Sequence, residues 1–198
     1  MSTTENRQSA TFELSNVNPP KGARDQNTDN AFGLSGIDHF ALPARDLLLM
    51  ERFVREFMGG KPYYYAGFDD HDRKINRKPH LFVRIGSTLL QCTEEEGPAS
   101  PQADDSNIAP HWGFKTNAAG LDANIERLKE AGIPFFGPMA HRDIDVVSVY
   151  FRSPEGHKFE ICTWDDYPEE KTRMMGAPGV GFIPWATLMH QWPNNPRE

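Results

Sequence analysis

Residues 141–164 read HRDIDVVSVYFRSPEGHKFEICTW, and the fold turns on this stretch. Two runs of strand character, 146–152 and 158–164, flank Ser153-Pro154-Glu155-Gly156. The Pro and Gly of that tetrapeptide supply the backbone angles a tight reversal needs. Side chains alternate along a strand, so Glu160 and Cys162 share one face of the second run and Phe159 and Ile161 the other. A carboxylate midway along an otherwise apolar strand is costly to bury alone. It calls for a cation, which is either a Lys or Arg side chain or a metal ion.

Outward from the hairpin, the chain repeats itself. Residues 36–43 (GIDHFALP) alternate like a strand, Asp46 is suited to cap a helix, and Met50, Phe53, Val54 and Phe57 recur at helical spacing. Gly59-Gly60 stops that helix. Strand character returns at 62–66, 81–85 and 87–93, with a charged loop at 69–78. The same order follows in the second half: a strand at 111–116, a helical stripe of Leu121, Ile125 and Leu128 ended by Gly132, a strand at 133–137, then the hairpin. His39 stands 21 residues before Gly60 and 23 before Pro62; His111 stands 21 before Gly132 and 23 before Pro134. Aromatic residues follow both prolines, and Gln91-Cys92-Thr93 answers Glu160-Ile161-Cys162-Thr163. Such self-similarity is a tandem duplication of a βαβββ unit.

Bulk properties exclude several classes. The chain has 198 residues, 38% hydrophobic and 25% charged, which suits one globular domain or two small modules. A net charge of −7 argues against binding nucleic acid or an anionic membrane. No apolar run reaches the ~18 residues of a membrane helix, and the first thirty residues lack a hydrophobic signal segment. Two cysteines, Cys92 and Cys162, are no disulfide framework, so a cytoplasmic location is expected. The expected division is an N-terminal arm (1–35), a first module (36–94), a connector (95–110), a second module (111–165) and a C-terminal extension (166–198). Trp185, Phe182 and Trp192 make that extension too apolar for a free tail.

The duplication gives Glu160 its context. Equivalent polar positions are His39 with His111, on the opening strands, and Gln91 with Glu160, on the closing strands. A pseudo-twofold axis between two half-sheets would bring these four toward one point. Two imidazoles, a carboxylate and an amide form a nitrogen and oxygen set suited to Fe(II), Mn, Zn, Ni or Co, with positions left open. Lys115 shares the parity of His111 and could meet a substrate anion. His157, three residues before Glu160, faces the other way and reads as a group that stabilises the turn.

The duplicated units, the His of each opening strand and the FRSPEGHKFEIC run resemble the vicinal-oxygen-chelate superfamily over residues 36–165. That group includes glyoxalase I, extradiol dioxygenases, epimerases, fosfomycin-resistance thiol transferases and bleomycin-resistance proteins. The resemblance implies an α+β fold in which two tandem βαβββ modules form a curved mixed sheet, a cup around a metal held by His39, His111 and Glu160. His141 and Tyr150 match the second-sphere His and Tyr of the extradiol pattern, and imply catalytic roles beside O2 and substrate. Gln91 completes a His/Gln/His/Glu quartet like that of epimerases and some glyoxalases, as a fourth ligand or a neighbour of the metal. No counterpart of the acid/base His of two-domain extradiol enzymes lies between Gln91 and His111.

The expectation is a homodimeric Fe(II) dioxygenase acting on a small aromatic diol-like substrate with O2. One alternative is an O2-independent Lewis-acid isomerase, lyase or thiol transferase. The other is a drug-binding protein without catalysis.

Overall fold

The computed structural model describes residues 37–95, 111–141, 145–174 and 183–192. The expected N-terminal arm and nearly all of the connector lie outside the described residues. Strand β1 (His39–Ala44) leads into α1 (Leu47–Arg52), which runs on as a π-helical turn, Phe53–Phe57. Asp46 caps α1, its Oδ1 accepting the Leu49 N–H at 2.9 Å. Then come β2 (Lys61–Ala66), α2 (Asp70–Lys74), β3 (His80–Ile85) and β4 (Thr88–Glu94). The second module repeats the order with β5 (Trp112–Thr116), α3 (Ala118–Glu130), β6 (Phe135–Ala140), β7 (Val147–Arg152) and β8 (Lys158–Thr163). Asn117 caps α3 by accepting the Gly120 N–H at 2.7 Å.

The sheet orders are β1-β4-β3-β2 and β5-β8-β7-β6, the second extended by a short β9 (Arg173–Met174). In both modules the opening strand lies parallel to the closing one, and the other pairs of the repeat are antiparallel. The βαβββ duplication is therefore present in both halves. Helix α2, within the first repeat, lies outside the expected pattern. It lacks an apolar stripe, and side chains hold it instead: Asp69 accepts the Asp72 N–H at 2.7 Å and Asp72 accepts the Gly67 N–H at 2.6 Å. No helix among the described residues is long and apolar enough to cross a membrane.

One apolar layer joins the modules. Phe53 and Phe57, at the end of the first helical segment, pack on Phe159 and Phe151 of the second sheet, with ring centroids 6.5 and 5.8 Å apart. Phe40 of β1 stacks on Trp112 of β5 at 4.8 Å. Arg127 of α3 donates to the Phe57 carbonyl. The residues that alternate with these, on each strand, must turn to the opposite face. Each buried ring contributes about 1.5–3 kcal/mol, against about 1 kcal/mol for a typical hydrogen bond. The shared layer therefore sets how the modules lie.

Polar ties fix the register. The hairpin turn of the second module docks on the start of α1: the Glu155 carboxylate accepts the backbone N–H of Arg45 at 3.3 Å and of Asp46 at 3.1 Å. His157 Nε2 lies 2.7 Å from the Pro43 carbonyl, which only a protonated Nε2 can bond, so it donates. His157 thus stabilises the turn by holding it to the other module.

Burial lowers the His157 pKa from its ordinary 6.5, against opposing contributions from the Pro43 bond and Glu155. Protonation then favours the unfolded chain, so this residue's stabilisation is complete above pH ~6.5 and is lost as pH falls further. His157→Ala leaves the Pro43 carbonyl without its donor and is expected to cost about 1–3 kcal/mol at pH 7.5. In urea titrations from pH 7.5 to 5, the difference from wild type should shrink as pH falls.

Candidate metal centre

Strands β5, β7 and β8 carry the polar face of the second module. Register places Gly113 and Tyr150 on either side of Glu160, and Lys115 and Ser148 on either side of Cys162. His111, at the entry to β5, brings Nε2 to 2.9 Å from Glu160 Oε2. The other carboxylate oxygen accepts from the Ser148 hydroxyl. Space for the carboxylate comes from Gly113, where a Cβ would lie only 3.2 Å from Glu160 Oε2. Burial by itself would raise the Glu160 pKa. The His111 and Ser148 hydrogen bonds, and after them the electrostatic influence of the neighbouring His111 and His141 rings, outweigh it and hold the carboxyl below the usual range. The partner that the strand pattern demanded is here an imidazole, hydrogen-bonded to the carboxylate.

Beside this pair, Tyr150 and His141 are in contact, hydroxyl to Nε2, at 2.8 Å. Burial, then the Glu160 charge, pushes the Tyr150 pKa up. Burial pulls His141 down, only partly offset by Glu160. The phenol is therefore protonated and the imidazole neutral at pH 7, and the two share one hydrogen bond.

His39 and Gln91 occupy the equivalent face of the first module. His39 Nδ1 contacts Asp38 Oδ1 at 2.8 Å, and its side chain is 47% exposed. Gln91 pairs with Ala41 across β1 and β4, and its amide donates to Thr93 Oγ1 at 3.2 Å. Tyr64, His80 and Phe82 form an aromatic cluster nearby, with Phe82 edge-on to His39 at 5.9 Å. Both this face and the His111/Glu160 face are turned away from the shared apolar layer. Convergence of His39, Gln91, His111 and Glu160 at one point does not occur within one chain: among the described residues, no cluster of three or more His, Cys, Asp or Glu side chains could hold a metal in a single chain. The physical reason is the alternation of β1 and β5, which sends Phe40 and Trp112 inward and both histidines outward.

The donor set at His111 and Glu160 nevertheless fits a divalent ion. An imidazole nitrogen and an ionised carboxylate lie side by side, and the carboxylate is oriented by an outer hydrogen bond, as ligating carboxylates are. Two donors leave room for a third from outside the chain. Lys115 lines a cleft of about 610 Å³ with Ile37, Phe40, His111, Trp112 and Phe114, at the edges of β1 and β5. Ser148 and Gly113 went unnoticed in the sequence. Parity was the available signal for Ser148, because it shares the face of Tyr150. Asp38 gave no signal beyond its place next to His39.

Comparison with known proteins agrees with this architecture. Residues 36–161 match the family model for the Glyoxalase/Bleomycin resistance protein/Dioxygenase superfamily. The fosfomycin resistance protein FosX of Listeria innocua is 27% identical over 128 residues, 65% of this chain and 89% of that protein. The metallothiol transferase FosB of Staphylococcus epidermidis is 22% identical over 130 residues, 66% of this chain and 82% of that protein. Among solved structures, FosX from Listeria monocytogenes at pH 6.5 superposes with a TM-score of 0.53 at 20% identity, covering 65% of this chain and 92% of that one. Another FosX structure from that organism, complexed with Mn(II) and sulfate, gives 0.51 at 21% identity, covering 70% and 97%. With the duplicated modules, the register and the family match over 36–161 in agreement, this chain belongs to the Glyoxalase/Bleomycin resistance protein/Dioxygenase superfamily.

Proposed function

We propose that the protein is a metal-dependent enzyme that adds a thiol or water to a small oxygen-bearing substrate by Lewis-acid chemistry, without O2. The observation that carries this is the His111–Glu160 pair, 2.9 Å apart and oriented by Ser148 on an outward face. The curated relatives bear names of fosfomycin resistance and metallothiol transfer, which support the O2-independent alternative over ring cleavage. In this reading the third ligand is His39 of the partner subunit, so the working unit is a homodimer with two equivalent sites. The two outward faces support this reading: a two-fold contact would set the first module of one copy against the second module of the other. Gln91 of the partner subunit then supplies a fourth donor or a hydrogen bond to substrate.

His111 and Glu160 would hold a first-row divalent ion, Mn(II) before Fe(II), Zn, Ni or Co, which would supply Lewis-acid polarisation of a substrate oxygen. The chain's own residues do the rest. In this reading the protonated Tyr150 donates to Nε2 of neutral His141. An incoming thiol or water gives its proton to the Tyr150 oxygen as Tyr150 passes its own to His141. Lys115, on the neighbouring row, meets the negative charge of the substrate.

A second reading, Fe(II)- and O2-dependent cleavage of an aromatic diol, is favoured by the same Tyr150–His141 contact, since both residues match the extradiol pattern. Oxygen separates the two. Incubation of the Mn(II)-loaded protein with fosfomycin and glutathione, cysteine or water under strict anaerobiosis should give an adduct or a diol by mass spectrometry. Loss of fosfomycin turnover, together with O2 uptake on catechols by the Fe(II)-loaded protein, would reverse the assignment.

Metal binding tests the shared site directly. By equilibrium dialysis and elemental analysis, His39→Ala and Glu160→Ala homodimers should each lose the ion. Mixed dimers of the two variants should regain one intact site of two. Retention of metal by His39→Ala would remove that residue from the centre. With metal bound, His141→Ala should lower kcat by about 10²–10⁴-fold, the usual worth of a positioned acid/base group.

A further inference from the structure

The C-terminal segment 183–192 lies beyond the residues matched by the family model, yet it reaches the metal-bearing face. Trp185 is fully buried. Its ring sits edge-on to Tyr150 at 5.8 Å and is tilted against His111 at 6.2 Å. Lys158 Nζ and the Arg152 guanidinium lie over the same ring at 5.2 and 5.8 Å. Its backbone carbonyl accepts from Arg152 Nε at 2.7 Å, and Met139 and Leu188 pack beside it. Sheet register makes these contacts meaningful. Arg152 and Lys158 are cross-strand neighbours in one row, His111 lies in line with them, and Glu160 and Tyr150 form the next row. The indole therefore covers one end of the face and leaves open the end that carries Lys115, Cys162 and His141.

A second observation points to a ligand. The indole Nε1 is buried and has no hydrogen-bond partner among the described residues. A buried N–H is normally satisfied, and an oxygen chelated at the adjacent centre would be an acceptor of the right kind.

We infer that Trp185 is a specificity-determining wall of the site, closing its His111–Lys158–Arg152 end and confining a chelating ligand to the Lys115–Cys162–His141 end. The inference rests on the reading of His111 and Glu160 as metal ligands. Shape explains the selectivity: a compact ligand with two adjacent oxygens fits the open end, whereas a wide planar one collides with the indole.

Hydroxamates present two adjacent oxygens to a metal and come in graded sizes, so they are the probes. Acetohydroxamate and 2-naphthohydroxamate are titrated into Co(II)-loaded dimer and followed by visible absorption. Wild type should favour the small probe. Trp185→Ala should shift the affinity ratio at least tenfold toward the large one, with Co(II) affinity within about threefold of wild type. Trp185→Leu serves in its place if circular dichroism shows the alanine variant unfolded. Co(II) should also quench fluorescence in wild type more than in Trp185→Phe, since the other three tryptophans are common to both. An unchanged probe ratio in a folded, Co(II)-binding variant would overturn the inference, as would equal quenching in the Phe variant. Failure of wild type to bind Co(II) would instead overturn the metal reading, and this inference with it.

Discussion

The arrangement of this molecule depends on the apolar layer shared by its two sheets. Phe53 and Phe57 of one module rest on Phe159 and Phe151 of the other, and removing such rings from water is the larger contribution to holding the modules together. Once both sheets turn their apolar sides to that layer, alternation decides the rest. Every second residue of β1, β4, β5 and β8 must face outward, and the chemistry-bearing residues occupy those positions. The hairpin turn then locks the angle between modules through Glu155 and His157.

This constraint divides the work of the two modules. The second module brings together His111, Glu160, the Ser148 hydroxyl and the Tyr150–His141 pair, which the proposed function reads as two metal donors, an orienting group and a proton-handling pair. The first module offers an imidazole, an amide and an aromatic surface. In the proposed dimer these are complementary halves of one cavity, and neither is sufficient alone. Electrostatics agrees with that division. The Glu160 carboxyl is held below the usual range despite burial because the hydrogen bonds from His111 and Ser148, with the neighbouring imidazoles, offset the loss of water.

Much of the fold was legible in the chain. Gly59-Gly60 and Gly132, the prolines two residues later, the capping Asp46 and the period-two strands all made their elements, because local backbone preference and tertiary packing agree there. Helix α2 was not legible, since its stability comes from side-chain bonds of Asp69 and Asp72, which a hydrophobic pattern does not register. At the site, the equivalence of His39 with His111 and of Gln91 with Glu160 identified the outward positions. That they form no common ligand cluster within the described residues was not readable, because a sequence repeat gives the face of each sheet but not the direction in which the two sheets look. Trp185 stood out by its apolar character alone; the position it covers depends on contacts far apart in the chain.

Gly113 and Ala41 occupy matching places in the two repeats, the first beside Glu160 and the second beside Gln91. A methyl group is tolerated where the neighbour is an amide that bends back to Thr93. It would crowd the carboxylate that has to extend toward His111. The duplicated halves have thus diverged as coupled pairs, Gly with Glu and Ala with Gln. Placing an alanine opposite the carboxylate would therefore push Glu160 off its present line toward His111 by a few tenths of an ångström.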